Sequence, residues 1–540
     1  MPENSISRRT LLEAGAGLAV GGPFFRFQSE RGKLMPTTMI TAPYVVVETR
    51  HGKVRGGQCR GALGFKGIPY AGPVSGPNRF RPAPAVEPWS DVRDCLALGT
   101  PSLQSPKTVY GEHEPHPGED CLVLNVWTPA TDGRKRSVLF YNHGGGFMTG
   151  SAGSMGQDGG QLAANHDVVV VASNHRLGLA GYLTLEEIGG EDYAGCANVG
   201  MSDIVAALRW VHENIAAFGG DPHNVTVFGE SGGGAKTCAL MAMPSATGLF
   251  HKAGIMSGPM ITVGKPEGAY AVTRAVLAEL QISPSDLHRL ADVPAEKLLE
   301  VQSADSVRKV GGFGPYLDGH IIAQHPFNPS PAPFAKHIPV LVGNNRDEAT
   351  FFFWEEPAVF KMDEAGVEAR LEAQMGKERA SQTLQVFRRE RPSASPVELY
   401  IAIETAGMWS DNITIAERKV AQRGAPVYMY RYDYESNYPI KGTDWTLRAG
   451  HATEILAKFE NADLPGLMGS KPDRFQAAKN FGEVWASFAR TGHPHAPGVE
   501  SWPAYNLDTR ATGIADVTCR LENDPHRAER EYFESIQKSR

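Results

Sequence analysis

The chain is poor in the features that mark several broad classes of protein. Its six cysteines (Cys59, Cys95, Cys121, Cys196, Cys238 and Cys519) are widely spaced and include no C-x-x-C pair. That argues against a zinc cluster or a dense disulfide framework. The spacing leaves one or two bridges open and pairs none of them. No apolar run reaches the ~18 residues of a membrane span. No basic run exceeds isolated pairs, and Lys+Arg 53 against Asp+Glu 60 gives a formal net charge of −7. This balance suits solubility and argues against a nucleic-acid surface. No internal repeat, low-complexity linker or charge block divides the 540 residues, so residues 41–540 read as one large domain. Glycine (59) and proline (38) are plentiful, which means many turns rather than a helical bundle.

Residues 1–40 read separately. Ser7-Arg8-Arg9-Thr10-Leu11-Leu12 precedes a mild apolar run at 14–20, a pattern similar to a twin-arginine export signal. It predicts a periplasmic or secreted protein, with a cytoplasmic one as the alternative. Glu13 and the lack of a clean A-x-A site count against export.

Short, wholly apolar runs at 138–141 and 168–172 have the character of parallel strands buried on both faces, and 225–228, 253–256, 339–342 and 427–434 are further strand candidates. Residues 44–48 and 53–56 predict a hairpin about His51-Gly52, residues 121–127 another strand, and residues 65–89 a loop-dominated stretch. Residues 203–218 predict a helix, with Ile204, Leu208, Val211, Ile215 and Phe218 on one face and Gly219-Gly220 as its stop. More helical segments cover 272–299, 362–390 and 395–423. Strands alternating with helices predict a mostly parallel sheet covered on both faces, with helical excursions roofing a site.

The organising stretch is residues 225–243, where a β-branched run enters Gly229-Glu230-Ser231-Gly232-Gly233 and a helix leaves it. Strand, G-x-S-x-G and helix together predict a strained turn that pushes the Ser231 hydroxyl out at the top of a sheet. A serine needs a base to take its proton and an acid to orient that base. Asp347 and Glu348 follow the 339–342 strand, and Gly450-His451 lies on a late loop, giving the order serine, acid, histidine. His143-Gly144-Gly145-Gly146-Phe147 follows the 138–141 strand; its glycines let backbone N–H groups approach a developing oxyanion. No P-loop lysine or G-x-G-x-x-G stands where a phosphate-binding loop would need it.

These motifs, with FKGIPYAGPVSGPNRFRPAP, EDCLVLNVWTP, NHRLGLAGYL, NRDEATFFF and GHATEIL, resemble the type-B carboxylesterase/lipase family, which includes the cholinesterases. The resemblance spans residues 45–505. It implies an α/β-hydrolase fold: a mostly parallel central sheet, helices on both faces and helical insertions over the active site. It further implies Ser231 as nucleophile, Glu348 rather than Asp347 as acid, and His451 as base. Gly145, Gly146 and Gly232 would be the oxyanion donors, Glu454 a carboxylate behind the histidine, and Arg79 with Glu119 a structural salt bridge. The implied activity is ester hydrolysis through an acyl-enzyme on a small-molecule ester, with no metal or organic cofactor; oligomeric state is left open. Amide or carbamate cleavage by the same triad is the alternative. A non-catalytic adhesion protein of the same fold is disfavoured because all three triad residues are present.

Departures from the family pattern are informative. Gly232 stands where alanine is common, which predicts a looser turn, and Ile204 stands where glutamine follows Asp203. Cys121 matches a disulfide cysteine, but Ser102 stands near its expected partner, with Cys95 seven residues earlier. The tryptophan that stacks on choline is missing from residues 109–118, which disfavours choline esters. His113, Glu114, His116, Glu119 and Asp120 fall in a proline-broken loop and read as solvated rather than metal-binding. Phe351-Phe352-Phe353-Trp354 reads mainly as buried packing, and Tyr428, Tyr430, Tyr432 and Tyr434 as one packed sheet face.

Overall fold

The computed structural model describes residues 39–105 and 114–538; the export segment at 7–20 and His113 lie outside these residues. Among the described residues fifteen strands occur in chain order. They are β1 (Thr41–Thr49), β2 (Gly52–Cys59), β3 (Ala62–Pro69), β4 (Val92–Asp94), β5 (Val123–Thr128), β6 (Arg136–Asn142), β7 (Val169–Ser173) and β8 (Gly220–Glu230). Then come β9 (Lys252–Met256), β10 (Val340–Asn345), β11 (Val427–Tyr432), β12 (Ser436–Pro439), β13 (Thr446–Arg448), β14 (Ala511–Ala515) and β15 (Arg520–Asn523). Thirteen form one sheet in the order β1-β2-β3-β5-β7-β6-β8-β9-β10-β11-β14-β15, with β4 beside β2.

From β7 across to β14 every neighbouring pair is parallel, and both ends of the sheet are finished by antiparallel strands. The parallel strands are buried on both faces because their side chains alternate between two cores. Val138, Phe140, Val225, Val227, Val340 and Val342 enter one core. Leu139, Tyr141, Phe228, Leu341 and Tyr428 enter the other, beneath the helix Arg474–Thr491. Tyr430 and Tyr432 share that second face and pack on Phe481, with Trp485 also against Tyr430. The two-residue strand period puts all three strand tyrosines on one side, and Tyr434 joins them just past the strand end.

Two local expectations shift. The first residues of the 65–89 stretch, 65–69, belong to β3, an interior strand of the sheet: Gly56 and Gly64 let its backbone run so close to β2 that a side chain at either glycine would collide. The segment 272–299 is interrupted at Pro284 and Pro294 into the helix Pro266–Leu280, a 3-10 turn Pro284–Asp292 and the helix Ala295–Ser303, since proline cannot continue a helix interior. The 203–218 helix runs as Val199–Asn214 with a 3-10 extension to Phe218, and Gly219 ends it at φ +79°. The long helix Pro396–Ala421 starts from a capping box in which Ser395 and Glu398 exchange hydrogen bonds. It packs with the helices Glu364–Met375 and Lys377–Glu390 into a third core that includes Ala349, Phe353 and Leu447, close in sequence to Glu348 and His451.

All six cysteines carry free thiols and are buried. Cys121 faces Ser102, whose hydroxyl it engages, so the family bridge is absent for want of a second thiol at that position.

Candidate active site

The site is assembled at the carboxyl ends of adjacent parallel strands, the usual place for chemistry in an open α/β sheet. Glu230 ends β8 and Ser231 follows it at φ +56°, ψ −124°, capping the helix Gly232–Leu240. A non-glycine residue held there is strained and persists only because its surroundings fix it. The Ser231 N–H donates to the Met256 carbonyl at the end of β9 (2.8 Å). A Cβ on Gly229 or Gly233 would run into backbone of the turn itself or of Asn142, which is why the motif needs glycine at both positions. The Ser231 side chain is half-buried.

Glu348 lies just past β10. Its Oε1 accepts from the Asn345 N–H (2.6 Å), and its Oε2 lies 2.5 Å from His451 Nδ1. His451 sits between β13 and the short helix Ile455–Lys458, and its N–H also donates to the Glu348 carbonyl (3.3 Å). Asp347, the other sequence candidate, is occupied elsewhere, paired with Arg346 (2.8 Å). The structure therefore joins His451 to Glu348 and not to Asp347.

His451 Nε2 lies 3.2 Å from Glu230 Oε1, and no hydrogen bond joins it to Ser231 Oγ. Glu230 is the residue next to Ser231, so the imidazole reaches the serine turn but rests on the neighbouring carboxylate. Burial alone would draw the imidazole down, yet the charges of Glu230 and Glu348 raise it to about 9. Burial pushes Glu230 upward in turn, against the pull of His451 and Lys458. Glu454 accepts from Asn345 Nδ2 (2.5 Å) and more distantly from Ser257 (3.5 Å). Burial, then the charges of Glu230 and Glu348, hold it up at about 8. Lys458 sits in the same cluster, bonded to Tyr141 Oη (3.0 Å).

Across the turn from Ser231, the loop after β6 carries Gly145 at φ +84° and Gly146 at φ +61°, conformations that side chains rarely adopt. The N–H groups of Gly145 and Gly146 have no intramolecular acceptor among the described residues, and Gly232 N–H stands at the first helical position, which the helix itself leaves unbonded. The expected looseness at Gly232 is corrected here: a Cβ at that position would sit 2.5 Å from the Gly146 nitrogen and closer still to its Cα and carbonyl. The missing methyl is filled by the glycine loop, which closes onto the helix start.

Phe351 and Phe352 are half-buried and flank the His451 ring, with centroids at 5.6 and 4.8 Å. Phe353 enters the third core, and Trp354 stacks on Tyr438 at 6.0 Å. Arg79 and Glu119 form a bidentate pair (2.6 and 2.7 Å), and the remaining Arg79 nitrogen donates to the carbonyls of Leu290 and Val293. In the loop the sequence marked as acidic, Asp120 accepts from the N–H groups of Val74 and Ser75. No group of three or more His, Cys, Asp or Glu is placed to hold a metal among the described residues. Sequence reasoning did not assign Glu230, Lys236 or Lys458. Glu230 stood inside the motif, and Lys236 was the one charge in an otherwise small and apolar helical stretch.

The carboxylesterase family profile matches residues 43–533. A para-nitrobenzyl esterase of Bacillus subtilis (strain 168) is 36% identical over 498 residues, covering 90% of this chain and 98% of the relative. A phenmedipham hydrolase of Pseudarthrobacter oxydans is 33% identical over 491 residues, covering 88% and 95%. The crystal structure of the Geobacillus stearothermophilus carboxylesterase EST55 at pH 6.2 superposes with a TM-score of 0.78 at 38% identity, covering 90% of this chain and 99% of that one. Fold, site placement and these matches agree that the chain belongs to the carboxylesterase family and is a carboxylic ester hydrolase.

Proposed function

We propose that hydrolysis proceeds through an acyl-enzyme on Ser231, with His451 as general base and Glu348 as its orienting acid. The observation that carries this is the 2.5 Å contact between His451 Nδ1 and Glu348 Oε2, which leaves Nε2 as the nitrogen turned toward the serine turn. A neutral His451 donates Nδ1–H to Glu348 and keeps a lone pair on Nε2. The resting imidazolium spends that position on Glu230. Deprotonation and a small swing of Nε2 from Glu230 to the adjacent hydroxyl start the reaction, and hydrogen bonds of this kind tighten when substrate binds.

Ser231 Oγ then attacks the ester carbon as its proton moves to Nε2. The carbonyl oxygen becomes an oxyanion facing the free N–H groups of Gly145, Gly146 and Gly232. As the tetrahedral species collapses, the bond to the alcohol breaks and His451 returns the proton to the departing oxygen. Water repeats the sequence on the acyl-enzyme and releases the acid. Phe351 and Phe352 line the histidine side and favour an apolar group there. Ser231→Ala should abolish turnover of short-chain p-nitrophenyl esters and labelling by a fluorophosphonate probe while the thermal melt stays cooperative. Turnover retained by that variant sinks the assignment.

A further inference from the structure

The ester-hydrolase reading leaves Lys236 unexplained. It sits on the helix that Ser231 caps, little more than one turn along, and is 0% exposed. Its Nζ donates to the His143 carbonyl at 2.9 Å and lies 5.7 Å from the Phe147 ring centre. Among the described residues no carboxylate comes within ion-pairing distance of it. An ammonium buried without a paired carboxylate is destabilising, and an apolar side chain would fill the same space at no such cost. Packing is therefore a poor reason for a lysine here.

The glycine loop supplies a better one. His143 and Phe147 bracket three residues with no side chains, two of them at positive φ, so the loop must be held through its backbone. Its far end is fixed by Gly178 N–H donating to the Phe147 carbonyl (2.7 Å). Its near end is gripped from the nucleophile helix by consecutive residues: Thr237 Oγ1 accepts from Asn142 Nδ2 (3.1 Å), and Lys236 holds the His143 carbonyl. The same helix carries Gly232, so these two contacts set the spacing between the oxyanion donors of the loop and of the helix.

We propose that Lys236 is a positioning residue for the oxyanion loop: its ammonium pins the His143 carbonyl so that the Gly145 and Gly146 N–H groups converge with that of Gly232, and its charge favours the oxyanion. This rests on the reading of the site given above. A fixed cation in a water-poor site acts on a developing anion more strongly than it would in water. Burial holds the Lys236 amine down at about 7, against the pull of Glu230 from the end of β8. The other titratable groups facing it, His143 on the loop and His175 just after β7, are both kept neutral by burial.

The test is steady-state and burst kinetics of Lys236→Met on a p-nitrophenyl ester, with active sites counted by a fluorophosphonate probe. The expected result is a folded enzyme with KM within about threefold of the parent and kcat at least about tenfold lower, with part of that loss recovered in Lys236→Gln, which keeps a donor without the charge. A folded Lys236→Met with parental kcat overturns the proposal. If Lys236→Met does not fold, Lys236→Leu, which also removes both donor and charge, gives the same readout. If neither folds, the lysine is structural and the proposal falls. A parent enzyme that the probe fails to label on Ser231 instead refutes the nucleophile assignment, whatever the lysine variants do.

Discussion

Gly232→Ala would restore the alanine common in the family, and the structure predicts that it harms this enzyme. Two effects oppose each other. Alanine gains up to about 1 kcal/mol over glycine in a helix, less at the first position. Against it, the added Cβ lands 2.5 Å from the Gly146 nitrogen and nearer to its Cα and oxygen. Those are backbone atoms, which cannot rotate away as a side-chain end can. Overpacking of this sort costs about 1–3 kcal/mol, so the net change in stability should be a loss of no more than about 3 kcal/mol. The effect on turnover should be larger. Relief of the clash requires the loop to retreat, and the retreat takes Gly146 N–H from the oxyanion. Removal of one such donor costs about 10²–10³ in kcat, and a partial displacement should cost about 10-fold or more. The measurement is kcat for p-nitrophenyl butyrate per probe-titrated site, alongside a denaturant midpoint. A variant with unchanged kcat and equal or higher stability would refute the claim that the loop occupies the methyl's place.

Two further outcomes follow from the charges. Glu230→Gln removes one of the three carboxylates that raise His451, so the imidazole should lose its proton at lower pH. On the proposed mechanism the base form is the active one, and the acid limb of the kcat/KM profile should therefore move to lower pH; an unmoved limb would mean that Glu230 does not hold the resting imidazolium. Arg79→Met breaks a bidentate pair whose partners are 7% and 14% exposed and also frees the carbonyls of Leu290 and Val293. Leaving Glu119 and those oxygens unpaired should cost about 3–5 kcal/mol in urea unfolding, with active-site chemistry intact in the folded fraction. A loss under about 1 kcal/mol would count against a structural role.

The parallel core and the turn about Ser231 were legible in the sequence because both are local. A run such as residues 138–141 is apolar throughout since both sheet faces are covered, and Gly229 and Gly233 are glycine since the turn leaves no room for a Cβ. The end of β3, residues 65–69, reads as loop for the converse reason. It includes Gly67 and Pro69, which look like turn chemistry until the neighbouring strand is in place. Of the two acidic candidates, residue order could not separate Asp347 from Glu348. The separation comes from Arg346, which occupies Asp347, and from the Asn345 N–H, which turns Glu348 toward the histidine.

The buried charges were illegible for a deeper reason. A glutamate before the serine and a lysine five residues after it look like solvated residues in one dimension, since charged side chains are rarely buried unless paired. Only the fold shows that Glu230, Glu348 and Glu454 share a pocket with Lys458 and His451, and that Lys236 lies against the loop facing them. Burial pushes Glu230 and Glu454 upward, Glu454 to about 8, and draws Lys458 down to about 8. Protons in such a set of interacting groups belong to the set rather than to one residue, and the carboxylates of Glu230, Glu348 and Glu454 all favour a protonated His451. Formation of the proposed base therefore takes a proton from this set. Activity in this enzyme is consequently expected to be governed by the charge state of the whole cluster rather than by the histidine alone, and single-charge substitutions at Glu230, Glu454 and Lys458 should each displace the same acid limb, with the lysine moving it opposite to the two glutamates.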